Sequence, residues 1–451
     1  MMPLAMIVAA RGAPVAGSDR SLDQGRITPK FDSLRAQGIA LFPQDGSGIR
    51  SADQLVIASA AVEETVPDIV AANRLGCARA TRAEMLSSLF NDSRLPIGVA
   101  GTSGKSTVTG MIGWILHACG CDPTVMNGAV MKNFASPDAP FASALVGSGA
   151  PFVSEVDESD GSIAHYRPRI AVLNNVSLDH KSMDELRTLF AGFIAKAETA
   201  IVNVDNDEAA ALAATLPPER VHSFALDRAA DFAARDIVEQ PFGSRFTLCV
   251  GGNTQAASLR VPGRHNIANA LAAIAASVAA GVALNDAVTA IDDFTGLRRR
   301  FDLVGEAGGV AVIDDFGHNP DKISATLDTL HAFPGRLLML FQPHGYGPLK
   351  QMRRELVDAF AARMREGDVL AMPDPVYFGG TVAREVTSAD LIADIAARGH
   401  DARHLADRAD AARMLVEAAR PGDRIIVMGA RDDTLSGLAA DMVAALAARA
   451  T

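Results

Sequence analysis

The stretch Gly98–Gly110, GVAGTSGKSTVTG, restricts what this chain can fold into more than any other. The apolar run Pro96–Gly101 reads as a buried strand, and the segment Ser106–Cys119 reads as an amphipathic helix. Between them lie two hydroxyl residues, a glycine and a lysine, Thr102 to Lys105. A helix start presents backbone N–H groups, and its dipole favours negative charge there. Gly101 and Gly104 let the backbone wrap a phosphate, Lys105 can reach the β- and γ-phosphates, and Ser106 can place its hydroxyl on Mg²⁺. The loop Gly101, Thr102, Ser103, Gly104, Lys105, Ser106, Thr107 is therefore expected to bind a nucleotide. The first glycine of the general phosphate-loop pattern falls at Val99, so the match is partial. The competing reading is a tight glycine turn beside a solvated lysine.

The same alternation recurs along the chain. Gln54–Ser59, Ile170–Val176, Thr199–Asp205, Arg336–Phe341 and Asp423–Gly429 read as buried strands. Asn266–Ala280 and Met352–Arg365 read as helices. Repeated strand–helix order argues for an α/β protein built on parallel sheets. Polar FNDSRLP (Phe90–Pro96) and basic FTGLRRRFD (Phe294–Asp302) break the pattern, giving expected domains at 1–93, 94–297 and 298–451.

Composition narrows the function. A net charge of −11 argues against nucleic acid as a partner, because phosphate contacts need clustered Lys and Arg. Cys77, Cys119, Cys121 and Cys249 are few and irregularly spaced, so no disulfide framework is expected, and Cys119-Gly-Cys121 lacks a matching ligand pair for a metal site. The apolar start, MMPLAMIVAARGAPVAG, has no basic flank and is too short to span a bilayer. Ala268–Leu284 is long but alanine-rich and interrupted by Asn269 and Ser277. The expectation is a cytoplasmic protein without a membrane partner.

The motifs taken in order resemble one family. GTSGKST resembles the ATP loop of the Mur ligases, ATP-dependent amide-forming enzymes of peptidoglycan synthesis. SEVDESDGS (Ser154–Ser162), NNVSLDH (Asn174–His180), PGRHNIANALAAIAA (Pro262–Ala276), RRRFDLVGE (Arg298–Glu306), IDDFGHNP (Ile313–Pro320) and FQPHGYG (Phe341–Gly347) resemble further motifs of that family, most of all of its L-alanine-adding branch. The resemblance implies three domains: a Rossmann-like N-terminal domain, incomplete here, a central P-loop ATPase-like parallel sheet, and a Rossmann-like C-terminal domain. It implies a reaction in which ATP phosphorylates a nucleotide-sugar carboxylate and an amino acid attacks the acyl phosphate. It also implies roles. Glu155 and His180 would hold Mg²⁺ with Ser106, Asn266 and Asn269 would meet adenine, Arg300 would reach the phosphates, and Asp315 would bind near the ribose. Lys105, His180 and Arg300 form the expected catalytic set. Asp19, His318, His344 and Arg431 are expected on the substrate side, in a monomer or homodimer. Lys196, near a position that several family members carbamylate, is read as an exposed helix lysine.

Three departures qualify this. The first strand and glycine turn that hold the UDP diphosphate in the family are missing ahead of MMPLAMIVAARG, so the N-terminal sheet is expected to expose an edge. Ser103 stands where the family has histidine. FQPHGYGPLK lacks two arginines of the family pattern, at Gly345 and Pro348, which neither glycine nor proline can replace as a carboxylate grip; Lys350, Arg353 and Arg431 are candidate substitutes. Three readings stay open at this point. One is the L-alanine-adding ligase. Another is a paralogue with a different amine or acyl substrate, murein peptide ligase included. The third is a non-catalytic ATP-binding protein.

Overall fold

The computed structural model describes residues 1–451 except 60–61, 179–180, 377–383, 431, 433 and 451, and the side chain of Ala450. Two units separate: Met1–Glu239 with Gly243–Gly296, and Gln240–Phe242 with Leu297–Thr451.

In the first unit the chain opens with the helix Met2–Ala10, which buries Leu4 and Ile7. β1 (Ala16–Gly17) pairs in parallel with β2 (Ala40–Leu41), and β3 (Val56–Ala58) pairs in parallel with β4 (Arg79–Thr81). These are two separate two-stranded sheets rather than one. Leu4 and Ile7 join Phe90, Phe152 and Phe190 in one apolar core, so the opening helix packs on the layer that also covers the central sheet.

That sheet has ten strands. They are β5 (Leu95–Ala100), β6 (Thr124–Met126), β7 (Ala144–Leu145), β8 (Pro151–Glu155), β9 (Ile170–Leu173), β10 (Thr199–Asn203), β11 (Val221–Ala225), β12 (Phe232–Gln240), β13 (Gly243–Val250) and β14 (Asn253–Leu259). Their order is β14-β13-β12-β11-β10-β9-β5-β8-β6-β7. β5 lies between β8 and β9, parallel to both. Its residues are buried from Pro96 onward, as a strand covered on both faces requires. Pro96 lacks an N–H, and pairing with β9 begins only at Ile97, so no ladder bond is lost. β9 ends at Leu173, before the expected Val176, because Asn174 and Asn175 turn toward the glycine loop. The strands β12–β14 have no counterpart among the expected strands. Buried and exposed positions are mixed along them, unlike the continuous buried runs of β5 and β9.

The second unit holds β15 (Asp302–Ala307), β16 (Val310–Asp315), β17 (Leu337–Gln342), β18 (Val369–Met372), β19 (Asp401–His404) and β20 (Arg424–Gly429), ordered β15-β16-β20-β17-β18-β19. β15 is antiparallel to β16; the other pairs are parallel. Alternation along β17 sends Leu337, Met339 and Phe341 into one layer and Leu338 and Leu340 into the other. The last strand inserts between β16 and β17, so the loops after these three strands emerge at the same end of the sheet, where α/β sheets bind ligands. No helix among the described residues is long and apolar enough to cross a membrane.

Candidate active site

The glycine loop leaves β5 at Gly101 and enters the helix Lys105–Ala118 through Gly104, which has φ 85°. The first intrahelical bond runs from Val108 N–H to Gly104 O, 2.9 Å. The N–H groups of Lys105, Ser106 and Thr107 thus lie ahead of the helical ladder, as in anion-binding helix starts. Earlier donors are engaged: Thr102 N–H donates to Asn175 O at 3.1 Å and Ser103 N–H to Asn175 Oδ1 at 2.8 Å. The anion-facing part of the loop is therefore its second half.

Lys105 Nζ donates to Gly101 O and to Glu158 Oε2, both at 2.8 Å. Glu158 is only 4% exposed, so this ion pair is largely withdrawn from water. Ser106 Oγ donates to Glu155 Oε2 at 2.7 Å. Asn127, wholly buried, donates to Ser106 O at 2.9 Å and accepts from Ala129 N–H, fixing the turn beside Glu155. A Cβ on Gly128 would come within 2.2 Å of Glu155 Oε1, so the glycine is what lets that carboxylate lie there. The hydroxyl and carboxylate together form a hard oxygen pair of the kind Mg²⁺ takes.

The acidic run divides by role. Glu155 and Glu158 face the loop. Asp157 Oδ1 accepts from Ser159 N–H and Asp160 Oδ1 from Ser162 N–H, so these two shape the turn. Burial raises the Asp157 pKa, but its bonds from Ser159 and the charge of Lys105 outweigh that and hold it below the usual carboxylate range. Sequence reasoning singled out Glu155 and missed Glu158. The signal lay in the run itself, where Glu158 stands three residues past Glu155.

Asn266 and Asn269 lie at the start of the helix Arg264–Ala279 and are buried. Asn174 Nδ2 donates to Asn269 Oδ1 at 2.9 Å, Asn269 Nδ2 to Asn266 Oδ1 at 3.1 Å, and Asn266 Nδ2 to Pro262 O at 2.7 Å. Asn174 Nδ2 also donates to Ser103 O at 3.0 Å, and Asn175 Nδ2 to the same oxygen at 3.1 Å. A ladder of amides thus runs from the loop to the helix start. His180, like Asp179, lies outside the described residues. Lys196 is exposed, as expected, but not idle: its Nζ donates to Ala164 O at 2.7 Å and Tyr166 O at 3.3 Å. Asp19 caps the short helix Arg20–Asp23, accepting from Ser21 N–H at 2.8 Å.

In the second unit the three arginines differ. Arg298 is exposed. Arg299 is buried; it donates to Asp432 O at 2.8 Å and Gly429 O at 2.6 Å and pairs with Asp314 at 3.5 Å. Burial pushes the Asp314 carboxyl up to about 6, against the pull of Arg299. Arg300 lies over the Phe316 ring, 4.6 Å from its centre. Asp315 accepts from Phe301 N–H at 2.8 Å, Gly317 N–H at 3.0 Å and Thr326 Oγ1 at 2.9 Å, so its carboxylate organises this loop. His318 and His344 meet edge to face with ring centres 5.4 Å apart. Burial and the nearby Lys322 push the His318 pKa down to about 4, against a bond between Nδ1 and Phe316 O. Lys350 is paired with Glu385, and Arg353 Nε donates to Asp394 at 2.9 Å, so both candidate substitutes already hold carboxylates. Arg431 lies outside the described residues.

Comparison with known proteins covers the chain in three matches. Residues 1–94 match the model described as "Mur ligase family, catalytic domain", 99–277 "Mur ligase middle domain", and 299–431 "Mur ligase, glutamate ligase domain". A UDP-N-acetylmuramate–L-alanine ligase of Streptomyces coelicolor is 34% identical over 451 residues, spanning 96% of this chain and 93% of the relative. One from Cereibacter sphaeroides is 33% identical over 464 residues, spanning 100% and 95%. Among solved structures, the UDP-N-acetylmuramate–alanine ligase of Thermotoga maritima superposes with a TM-score of 0.80 at 22% identity, covering 98% of this chain and 96% of that one. A murein peptide ligase of Psychrobacter arcticus gives 0.71 at 25% identity, covering 99% and 96%.

Proposed function

The chain belongs to the Mur ligase family, and from that premise we propose that it joins L-alanine to the carboxylate of UDP-N-acetylmuramate. As a Mur-type ligase it is an ATP- and Mg²⁺-dependent enzyme that forms an amide. The observation that carries the reading is the interlocked set Lys105, Ser106, Glu155 and Glu158 on the glycine loop. The N–H groups at the helix start and Lys105 are suited to the triphosphate, with adenine toward Asn266 and Asn269. Ser106 Oγ and Glu155 would hold Mg²⁺, which when bound neutralises charge on the phosphate and carboxylate oxygens. We assign His180 to the same metal, Arg300 to the phosphates and Asp315 to the ribose side on the sequence pattern. The paired rings of His318 and His344, with Asp19 and Arg431, are assigned to the substrates on the same basis. His318 is neutral at physiological pH, so it can accept a hydrogen bond from an incoming amine rather than repel an ammonium ion.

A second reading changes the amine. Gly345 and Pro348 carry no charge, and Lys350 and Arg353 are neutralised by Glu385 and Asp394. That favours an acceptor other than L-alanine on the same ATP chemistry. Phosphate release with UDP-N-acetylmuramate and each amino acid in turn, with Lys105→Ala as control, decides. Release that needs both UDP-N-acetylmuramate and L-alanine supports the first reading. Release with another amine supports the second. ATP binding without release under any pair would discard both.

A further inference from the structure

We infer that Asn174 is a positioning residue that holds the phosphate loop and the adenine-side helix at a fixed spacing. The inference rests on the nucleotide reading above and adds a residue that reading does not use. Asn174 follows β9 at the sheet's centre, and its amide nitrogen bridges two elements: Ser103 O of the loop at 3.0 Å and Asn269 Oδ1 of the helix Arg264–Ala279 at 2.9 Å. Sequence neighbours do different work. Asn175 bonds both the N–H and the carbonyl of Ser103, so it shapes the loop alone.

Two further observations point the same way. A Cβ on Gly104 would meet Asn174 Nδ2 at 2.2 Å and Asn269 Oδ1 at 2.7 Å, so the loop lies directly on this amide pair. Asn174 is also 96% buried by its 4% exposure, yet its Oδ1 has no hydrogen-bond partner among the described residues. An unpartnered buried amide oxygen is costly. Proteins keep such groups chiefly where function requires the geometry. A ligand that spans loop and helix gains when both ends are held at the spacing it needs, because less freedom is lost on binding.

The consequence is selective. A loop without Asn174 still binds a phosphate chain, and the helix start remains folded, but ATP loses the benefit of their fixed spacing. Titration calorimetry with Mg²⁺ compares the full chain with Asn174→Ala and Asn175→Ala, using ATP and inorganic tripolyphosphate as probes. Asn174→Ala should lose about tenfold in ATP affinity, roughly 1.4 kcal/mol, and less than about twofold for tripolyphosphate. Asn175→Ala should lose affinity for both. The kcat of Asn174→Ala at saturating ATP should stay within about threefold while KM for ATP rises. Asn174→Leu, uncharged and of nearly the same size, removes the shared donor without adding an anion beside the phosphates or leaving a cavity, and should show the same selective loss, which keeps the test open if the alanine variant melts early. Parallel loss for ATP and tripolyphosphate in Asn174→Ala, or an unchanged ATP affinity, overturns the inference. A wild-type protein that binds ATP no tighter than tripolyphosphate overturns the adenine assignment along with it.

Discussion

The glycine loop and the loops after β16 and β17, which the proposed function assigns to one reaction, are built in opposite ways. Around the glycine loop the polar side chains hold the loop and one another: Lys105 with Glu158, Ser106 with Glu155, and Asn174 and Asn175 with Ser103. Around the later loops the cations are held by neighbours for structural ends. Arg299 ties Gly429 and Asp432, Lys350 meets Glu385, and Arg353 meets Asp394. Activating a carboxylate with ATP demands fixed charges at fixed places whatever the acceptor. Choosing the amine demands only shape and a few polar contacts. On the proposed function, the loop that does the chemistry common to every acceptor is interlocked, whereas the loops assigned to the amine carry Gly345 and Pro348 in place of the family's arginines.

The strongest test of the interlocked side is Lys105→Ala. Removing the loop's cation should lower kcat/KM by roughly a thousandfold, since such charges act mainly in the transition state. It also leaves Glu158 buried without its partner, a loss that destabilises; a thermal melt run beside the phosphate-release assay separates the two effects. Glu155→Gln follows, with an expected loss of about a hundredfold. The amide keeps a hydrogen-bond acceptor for Ser106 but loses the charge for Mg²⁺, so activity should recover partly as Mg²⁺ is raised. Recovery at low Mg²⁺, or none at high Mg²⁺, would take Glu155 out of the metal's reach.

Legibility in the sequence follows the same division. Six parallel strands were visible, and the clearest, such as β5 and β17, are buried on both faces and read as continuous apolar runs. The strands β12–β14 were not, because their mixed pattern of buried and exposed positions resembles loop sequence. Lys105 and Ser106 stood out because phosphate and metal chemistry restricts residue type and spacing, whereas Glu155 was set apart from its acidic neighbours only by the family resemblance. Glu158, Asn127 and Asn174 act through tertiary contacts, which no local pattern records. Asn174 and Asn175 were read as the end of a strand, whereas their side chains brace the loop. In the basic triplet, charge alone could not separate exposed Arg298 from buried Arg299, which binds carbonyls far along the chain. Lys350 and Arg353 were candidate anion grips only until their partners, Glu385 and Asp394, came into view.

The selecting side yields a smaller, two-sided test. Restoring the family's charges at both missing positions should not be equivalent. Gly345 has φ 140° and ψ 159°, a backbone conformation that an arginine rarely adopts. Gly345→Arg therefore adds charge at the expense of about 1–3 kcal/mol of strain and should lower kcat/KM. Pro348 lies inside the short helix Tyr346–Gln351, where arginine fits the backbone. Pro348→Arg should lower KM for L-alanine about fivefold if L-alanine is the acceptor, through a charge-assisted bond to its carboxylate. An unchanged KM for L-alanine, with release still supported by another amine, would place the acceptor outside the α-amino acids that a second arginine can grip.

The smallest expected effect concerns His318, and its sign is fixed by burial. The pKa is lowered to about 4 in the folded protein, mainly by desolvation, against about 6.5 for an unfolded histidine. Between those values the unfolded chain takes up a proton that the folded protein refuses. Stability contributed at this site is therefore intact above pH 6.5 and falls as the pH drops toward 4. At pH 5 the loss is of order 1–2 kcal/mol. His318→Gln cannot take up that proton in either state. Its melting temperature should fall below that of the wild type at pH 8, where packing against Phe316 and His344 is lost, and the gap should narrow by pH 5. A gap that widens on acidification would mean that His318 gains a proton on folding. The neutral imidazole proposed for the acceptor side would then have to be replaced by an imidazolium, which binds a carboxylate rather than an amine.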